Sequence, residues 1–172
     1  CHKPMGKYIF NNVNFSINDP MLPKLREAGY HVVLNPTDEH NAIVTFPVAW
    51  DNIRFDKEGD LYVNKECATE QLTRYKLLMD SYVEQNCSIT VSYKEDEVPA
   101  IRDWLKSNWS SYVGVSFLPI TNTTYEYLPQ EVVTEARYKE YVAQLTEVDF
   151  SDTDSTHEIE GDECATGVCP TK

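Results

Sequence analysis

The sequence predicts a mixed α/β fold, and three observations support this prediction. Hydrophobic residues make up 41% of the 172-residue chain, which is enough to bury one sizeable core. Three segments, near residues 69–86, 97–109 and 134–145, carry apolar side chains at helical spacing. Two short apolar strands separate these helices. Because a strand–helix–strand order forms a crossover connection, the two strands should be parallel neighbours.

The first fifty residues predict an extended segment, a short helix and a strand. The apolar side chains between Tyr8 and Phe15 indicate the extended segment. Asp19 is the expected helix cap and Pro20 the first helical residue, where its missing N–H costs nothing. Gly29 should end that helix. The apolar run over residues 41–50 predicts a strand that ends at Pro47, because proline cannot donate to a sheet.

The first of the three longer helices should begin after a cap at Thr69 and bury one side. That side carries Leu72, Tyr75, Met79 and Tyr82, with charged residues between them.

The segment "CSITVSY" follows this helix and alternates with a period of two, which is typical of a strand. Its apolar face is formed by Cys87, Ile89, Val91 and Tyr93, and its small polar face by Ser88, Thr90 and Ser92. A small polar face is suited to lining a cavity or meeting a ligand.

The next helix has Pro99 in its first turn and an apolar side formed by Val98, Ile101, Trp104 and Leu105. A second strand is predicted from Val113 to Leu118. The last helix should be capped by Thr134 and bury Tyr138, Tyr141, Val142 and Leu145. Since two or three strands cannot close a barrel, and the chain begins at Cys1 and not at Met, we expect it to be part of a longer polypeptide. A truncation and a post-intein junction are both compatible with that start.

The net charge of -13 argues against nucleic-acid or anionic-membrane binding through a basic patch. The sequence has neither a membrane-length apolar run nor a leader-like start, so a cytoplasmic location is predicted. Five cysteines at irregular spacing make a poor disulfide framework and suit a reducing compartment.

The C-terminal end differs in composition from the rest of the chain. Between Glu147 and Glu163 there are eight acidic residues and no Lys or Arg. Such a segment cannot bury enough apolar surface to offset its ordering entropy. We therefore divide the chain into a folded part, residues 1–146, and a flexible acidic tail, residues 147–172. A flexible linker of roughly twenty residues reaches on the order of 25 Å.

Cys164 and Cys169 lie in the tail sequence "ECATGVCP". They can close a small disulfide ring, with Gly167 permitting the turn. The neighbouring acids should raise the thiol pKa values, so the pair is suited to exchange with a partner dithiol. Two inert tail cysteines are the alternative. A zinc site is disfavoured because His157 is the single additional ligand nearby and four are needed.

Several segments together resemble the C-terminal portion of an adenosylcobalamin-dependent (class II) ribonucleotide reductase. They are "SINDPMLPKLREAGYHV", "HNAIVTFPV", "YVEQNCSITVSYKEDEVPAIRDWLKSNWSSYVGVSFLP" and "ECATGVCP". The resemblance runs from about Gly6 to the end, and residues 82–119 are its most specific part.

This resemblance implies that the folded part belongs to a ten-stranded α/β barrel that is incomplete here. It implies a radical reduction of ribonucleotides that uses adenosylcobalamin, bound mainly by segments outside this chain. It also assigns Cys164 and Cys169 to a redox shuttle that re-reduces the active-site disulfide and is itself reduced by thioredoxin or a similar protein. The implied partners are the remainder of the reductase polypeptide, the reductant and the ribonucleotide substrate.

The resemblance has limits that leave two alternatives open. The radical-bearing cysteine and its partners precede this chain in the family, so Cys67 and Cys87 are not assigned those roles and the chain alone should be inactive. Cys87 is most simply a small core residue. Asn11, Asn12 and Asn14 stand where the family often has basic residues. The alternatives are the large subunit of a di-iron-dependent reductase, which shares the tail pattern, and a non-catalytic α/β interaction module.

Overall fold

The computed structural model describes residues 2–120 and 127–149. The strands are β1 (Tyr8–Ser16), β2 (Val32–Asn35), β3 (Asp38–Ala49), β4 (Asp56–Glu58), β5 (Leu61–Val63), β6 (Thr90–Tyr93), β7 (Ser116–Pro119) and β8 (Gln130–Val132). The helices are α1 (Met21–Glu27), α2 (Ala68–Ser81), α3 (Val98–Ser107) and α4 (Glu135–Ala143). The mixed α/β class predicted from the sequence is confirmed.

The described strands form three separate sheets. β2, β3, β1 and β8 pair in that order, and every pairing in this four-stranded sheet is antiparallel. β4 and β5 form an antiparallel hairpin, whereas β6 and β7 are parallel. The extended segment after Tyr8 and the parallel strand pair are confirmed, while the sequence indicated neither β2 and β8 nor the hairpin. None of these sheets is closed among the described residues.

The prediction that Pro47 ends its strand is wrong, because β3 continues to Ala49 and pairs Pro47 with Phe10 of β1. The Thr45 N–H, two residues earlier, points toward the β2 side and donates to the His31 carbonyl at 3.0 Å. Backbone groups two residues apart face the same side of a strand. The nitrogen of Pro47 therefore faces the sheet edge beyond the start of β2, where the structure requires no donor.

The short helix α1 covers one side of this sheet. Asp19 Oδ1 accepts from the Met21 N–H at 2.8 Å, so the predicted cap is confirmed. Leu22 and Leu25 are buried against Ala42 and Val44 of β3. Gly29 follows the helix with a φ of +90°, a conformation that favours glycine and explains why the helix ends there.

Helices α2 and α3 pack on the parallel pair around a second core. Leu72 and Tyr75 of α2, Val91 of β6 and Ile101 of α3 are buried there, and Met79, Trp104 and Leu105 lie at its margin. Tyr82 is 87% exposed, so its assignment to the buried side is wrong. The chain leaves the helix at this residue, with a φ of -141°, and the helical spacing no longer applies.

The N-cap of α2 lies two residues earlier than predicted. Cys67 is the N-cap residue, and its backbone N–H donates to Glu70 Oε2 at 2.8 Å. Thr69 lies inside the helix, where its hydroxyl is 3.2 Å from Cys67 Sγ.

The side chain of Gln71 completes the hydrogen bonding of β6. Gln71 is fully buried on α2; its Nε2 donates to the Ser92 carbonyl at 2.8 Å, and its Oε1 accepts from the Ser92 N–H at 3.1 Å. The Ile89 and Tyr93 carbonyls accept from β7, so the backbone of Ser92 faces the opposite edge. The Gln71 amide therefore occupies the place of a neighbouring strand. Ser92 is buried, so at this position the polar face of β6 does not line an open cavity as the sequence suggested.

The last helix crosses the four-stranded sheet. Thr134 accepts from the Arg137 N–H, which confirms the predicted cap. Tyr138 lies against Tyr8 and Tyr141 against Phe10, with ring centroids 5.1 Å and 4.9 Å apart. Val142, however, is 39% exposed. The side chains of α4 that contact the sheet are Tyr138 and Tyr141, and Val142 lies beside them.

Within the described ranges, no helix combines the length and the apolarity that crossing a membrane requires.

Replacing Gln71 by Leu should destabilise the fold by about 2 kcal/mol or more, because it leaves the buried N–H and C=O of Ser92 without partners. Urea unfolding measures this loss. Gln85→Leu is the matched control, since Gln85 is exposed. Equal stability of the two variants would contradict the role given to Gln71.

Replacing Gly29 by Ala should cost more than replacing Gly59 by Ala. Both glycines have positive φ, of 90° and 60°, so both pay for the backbone conformation. A Cβ on Gly29 would also lie 2.8 Å from the Gln144 carbonyl oxygen, whereas a Cβ on Gly59 meets nothing within 4 Å. Thermal unfolding should show a difference of about 1 kcal/mol or more; equal losses would show that the end of α4 does not pack on Gly29.

Candidate functional site

The two cysteines predicted to form the redox shuttle, Cys164 and Cys169, lie outside the described residues, as does the tail from residue 150 onward. The division at residues 146 and 147 and the role of the dithiol therefore stay predictions. His157, the one candidate zinc ligand near them, lies in the same undescribed part.

Cys1 also lies outside the described residues, and the two described cysteines occupy structural positions. Cys67 caps α2, as described above, and Cys87 packs at the margin of the core formed by α2, α3 and β6. The Cys87 N–H lies 3.4 Å from Met79 Sδ. The interpretation of Cys87 as a small core residue fits this placement. Among the described residues, no group of His, Cys, Asp and Glu side chains is arranged to hold a metal ion.

A cleft in the described structure lies between α4, the four-stranded sheet and the turn after α1. Its volume is about 820 Å³, which is in the range of small-molecule sites. The hydroxyl of Tyr141 bridges two backbone groups in this cleft: it accepts from the His31 N–H at 2.8 Å and donates to the Thr45 carbonyl at 2.9 Å. Burial raises the pKa of Tyr141 above its usual value, so this phenol remains a neutral donor.

Four charged side chains line the cleft, and two of them form an ion pair with each other. Arg137 Nη1 lies 2.6 Å from Glu131 Oε1, and its guanidinium lies 5.1 Å from the ring centre of Phe10. His31 stacks on Tyr127, with centroids 6.5 Å apart. These residues can bind and orient a ligand, but the described cleft contains no thiol.

Two asparagines of β1, Asn12 and Asn14, form side-chain hydrogen bonds within the described structure. Asn12 accepts from the Thr45 hydroxyl at 2.8 Å and donates to the Leu128 carbonyl at 2.8 Å. Asn14 accepts from Asn35 at 3.0 Å. Asn12 and Asn14 therefore tie β1 to its surroundings, and a ligand contact at either residue would have to displace these bonds.

A second polar cluster, which the sequence did not indicate, lies at the start of α2. Lys3 is buried, and its Nζ donates to the Glu66 carbonyl at 2.7 Å. Burial lowers the pKa of Lys3 below the usual lysine value, although Glu66 and Glu97 oppose the shift. Glu66 also pairs with Arg74, and its Oε2 is buried without a hydrogen-bond partner among the described residues. The cluster joins the N-terminal segment to α2.

No family model matches the chain. A probable adenosylcobalamin-dependent ribonucleoside-triphosphate reductase of Dictyostelium discoideum is 30% identical over 153 residues, which cover 87% of this chain and 19% of that protein. Adenosylcobalamin-dependent ribonucleoside-triphosphate reductases of Lactobacillus acidophilus and Lactobacillus leichmannii are 25% and 24% identical, each over 99% of this chain and 24% of its relative.

The fold has a counterpart in a solved structure. The crystal structure of a B-12-dependent (class II) ribonucleotide reductase matches with a TM-score of 0.61 and 22% identity, over 85% of this chain and 20% of the other. The described structure is thus an α/β segment with the fold of part of a class II reductase. The chain is a homologue of a segment of the adenosylcobalamin-dependent ribonucleotide reductases, and the resemblance inferred from the sequence is confirmed. It spans about a fifth to a quarter of the length of these relatives.

Replacing Tyr141 by Phe should lower the free energy of unfolding by about 1–2 kcal/mol at neutral pH, because the His31 N–H and the Thr45 carbonyl lose a shared partner. Tyr138→Phe is the control, since the Tyr138 hydroxyl has no hydrogen bond to a described residue. Because the folded-state pKa of Tyr141 is raised, the native state holds this proton more tightly than the unfolded state. The stability difference should therefore shrink above pH ~10. A pH-independent difference in chemical unfolding would contradict this account.

Proposed function

We propose that the chain is the C-terminal part of an adenosylcobalamin-dependent ribonucleotide reductase, which replaces the ribose 2′-hydroxyl by hydrogen. The observation that carries this proposal is the similarity to such reductases over 99% of the chain. The names of these relatives make a ribonucleoside triphosphate the substrate form we propose. They do not favour a di-iron-dependent subunit or a non-catalytic module.

The folded part would contribute late strands to a ten-stranded α/β barrel. The parallel pairing of β6 and β7 through the crossover helix α3 supports this assignment, since parallel strands connected in this way are the unit of α/β barrels. An enzyme built this way needs the preceding segments for its radical cysteine, so the chain alone would not reduce ribonucleotides.

The tail would supply the electrons for each turnover. Reduction of one ribonucleotide leaves a disulfide in the active site. The thiolate of one tail cysteine, Cys164 or Cys169, attacks a sulfur of that disulfide and forms a mixed disulfide. The second tail cysteine then attacks the tail sulfur of the mixed disulfide, and the active-site thiol leaves. Two electrons and two protons pass to the active-site sulfurs, and the tail is left as a Cys164–Cys169 disulfide. Thioredoxin or a similar dithiol protein reduces it again.

Adenosylcobalamin would supply the radical, and segments outside this chain would bind it. In the 820 Å³ cleft, Arg137 and Glu131 pair with each other, and the Tyr141 hydroxyl is already bonded to the His31 N–H and the Thr45 carbonyl. It offers no feature that selects a corrinoid, so no described residue is assigned to the cofactor. The setting would be the cytoplasm, where thiols are kept reduced.

Replacing both Cys164 and Cys169 by Ser in the full-length reductase that contains this chain should stop multiple turnover driven by thioredoxin. The loss should be at least about 100-fold, since no covalent route for exchange remains. Turnover driven by dithiothreitol, which is small enough to enter the active site directly, should be retained. Steady-state formation of deoxyribonucleotide measures both.

Cys67→Ser is the matched control, because Ser is a good helix cap and Cys67 is not part of the tail sequence. It should leave turnover with thioredoxin unchanged. If the double variant keeps full turnover with thioredoxin, the shuttle assignment is wrong. If wild-type protein forms no deoxyribonucleotide with either reductant, the reductase assignment itself fails.

A further inference from the structure

The surface between α3 and β7 contains a groove that the proposed catalytic role does not use. One wall is formed by Val98 and Leu105 of α3 and by Trp109 in the turn after it. Phe117 of β7 forms the other wall. We call this surface the α3–β7 groove. Its volume is about 480 Å³, and its lining contains no acidic side chain.

The α3–β7 groove exposes large apolar side chains. Trp109 is 76% exposed, Val98 46% and Phe117 37%. Trp109 contacts Tyr112 at a centroid distance of 5.7 Å, and Phe117 contacts Tyr93 at 6.1 Å. A contiguous exposed apolar surface usually marks an interaction site.

The adjacent strands support the same conclusion. β6 and β7 form a two-stranded parallel sheet, and three of the four residues of β7 are exposed. Parallel sheets occur almost always with both faces covered, and a two-stranded sheet is marginal by itself. An additional element should therefore cover β7 and the neighbouring groove.

The rim of the groove specifies the charge of that element. Arg102 and Lys106 line one side, one turn apart on α3, and Arg102 pairs with the neighbouring Asp103 at 3.4 Å. Lys106 forms no ion pair within the part of the chain that the structure describes. A basic rim in a chain of net charge -13 favours an apolar element with acidic side chains along its flank.

We propose that the α3–β7 groove seats an amphipathic helix with an acidic flank from the remainder of the reductase polypeptide. This inference rests on the proposed function. The relatives contain about three-quarters or more of their length outside the matched segment, so the required chain is present in them. The wall from Val98 to Trp109, formed by α3 and the turn after it, spans eleven residue steps, which corresponds to about 16 Å or three helical turns.

Two other occupants fit the groove less well. A second copy of this chain in a two-fold arrangement would bring the same basic rim, Arg102 and Lys106, against itself. The acidic segment over residues 147–163 has the right charge, but its few apolar residues do not match an apolar floor.

Photo-crosslinking in the full-length reductase identifies the occupant. Trp109 is replaced by p-benzoylphenylalanine, irradiated, and the crosslinked peptide is read by mass spectrometry. We expect a peptide from the preceding part of the same polypeptide, with apolar residues at helical spacing and acids beside them. The same photoreactive residue at Leu77, which is 67% exposed on α2, is the control and should not give that peptide.

A crosslink to a second copy, to the tail over residues 147–172, or to no peptide would overturn the proposal. These outcomes do not depend on enzymatic activity, so a failed groove assignment is distinguishable from a failed reductase assignment.

A stability measurement provides the second readout. Trp109→Ser should leave the melting temperature of the 172-residue chain nearly unchanged, because the side chain is exposed there. In the full-length polypeptide the same change should lower the melting temperature by at least about 3 °C, since the tryptophan is then buried. Leu77→Ser should show no such difference between the two proteins. Equal effects of Trp109→Ser in both would overturn the proposal.

Discussion

The pairing of the Gln71 amide with the backbone of Ser92 is the interaction on which the α2–β6–β7 part of the structure depends. A two-stranded parallel sheet has two open edges, and an open edge in a core carries unpaired N–H and C=O groups that are costly to bury. One side chain from α2 satisfies both groups of Ser92, a buried residue of β6. The helix is thereby fixed in register on the strand.

The N-terminal segment before β1 connects this core to the four-stranded sheet. The Met5 N–H donates to Gln130 of β8 at 2.9 Å, and the Lys7 N–H donates to the Tyr62 carbonyl of β5 at 2.9 Å. Lys3 reaches the start of α2 through the Glu66 carbonyl. Lys3 is buried, and this burial lowers its pKa. These contacts connect the start of α2 to β5 and β8.

The features predicted well from the sequence depend on local chemistry. Asp19 and Thr134 cap helices because a side-chain oxygen near the first turn satisfies N–H groups whatever the rest of the fold does. The prediction at Pro47 failed because the cost of proline depends on which edge its nitrogen faces, and the position of β2 sets that edge. Gln71 could have been noticed, since it interrupts the buried side of α2 between Ala68 and Leu72. Its partner, however, lies 21 residues away in the sequence. The redox role of Cys164 and Cys169 was predicted from the family resemblance together with their spacing, and it stays a prediction because both lie outside the described residues.

Hydrogen exchange at the Ser92 amide tests the central claim most directly. Ser92 faces the edge of β6 that has no neighbouring strand, so without the Gln71 contact its N–H would exchange as an open edge amide. The account predicts that native-state exchange of this amide is slow and approaches the rate set by global unfolding, as for amides inside a sheet. Exchange near the rate of an unprotected edge amide, measured by two-dimensional NMR under native conditions, would contradict it.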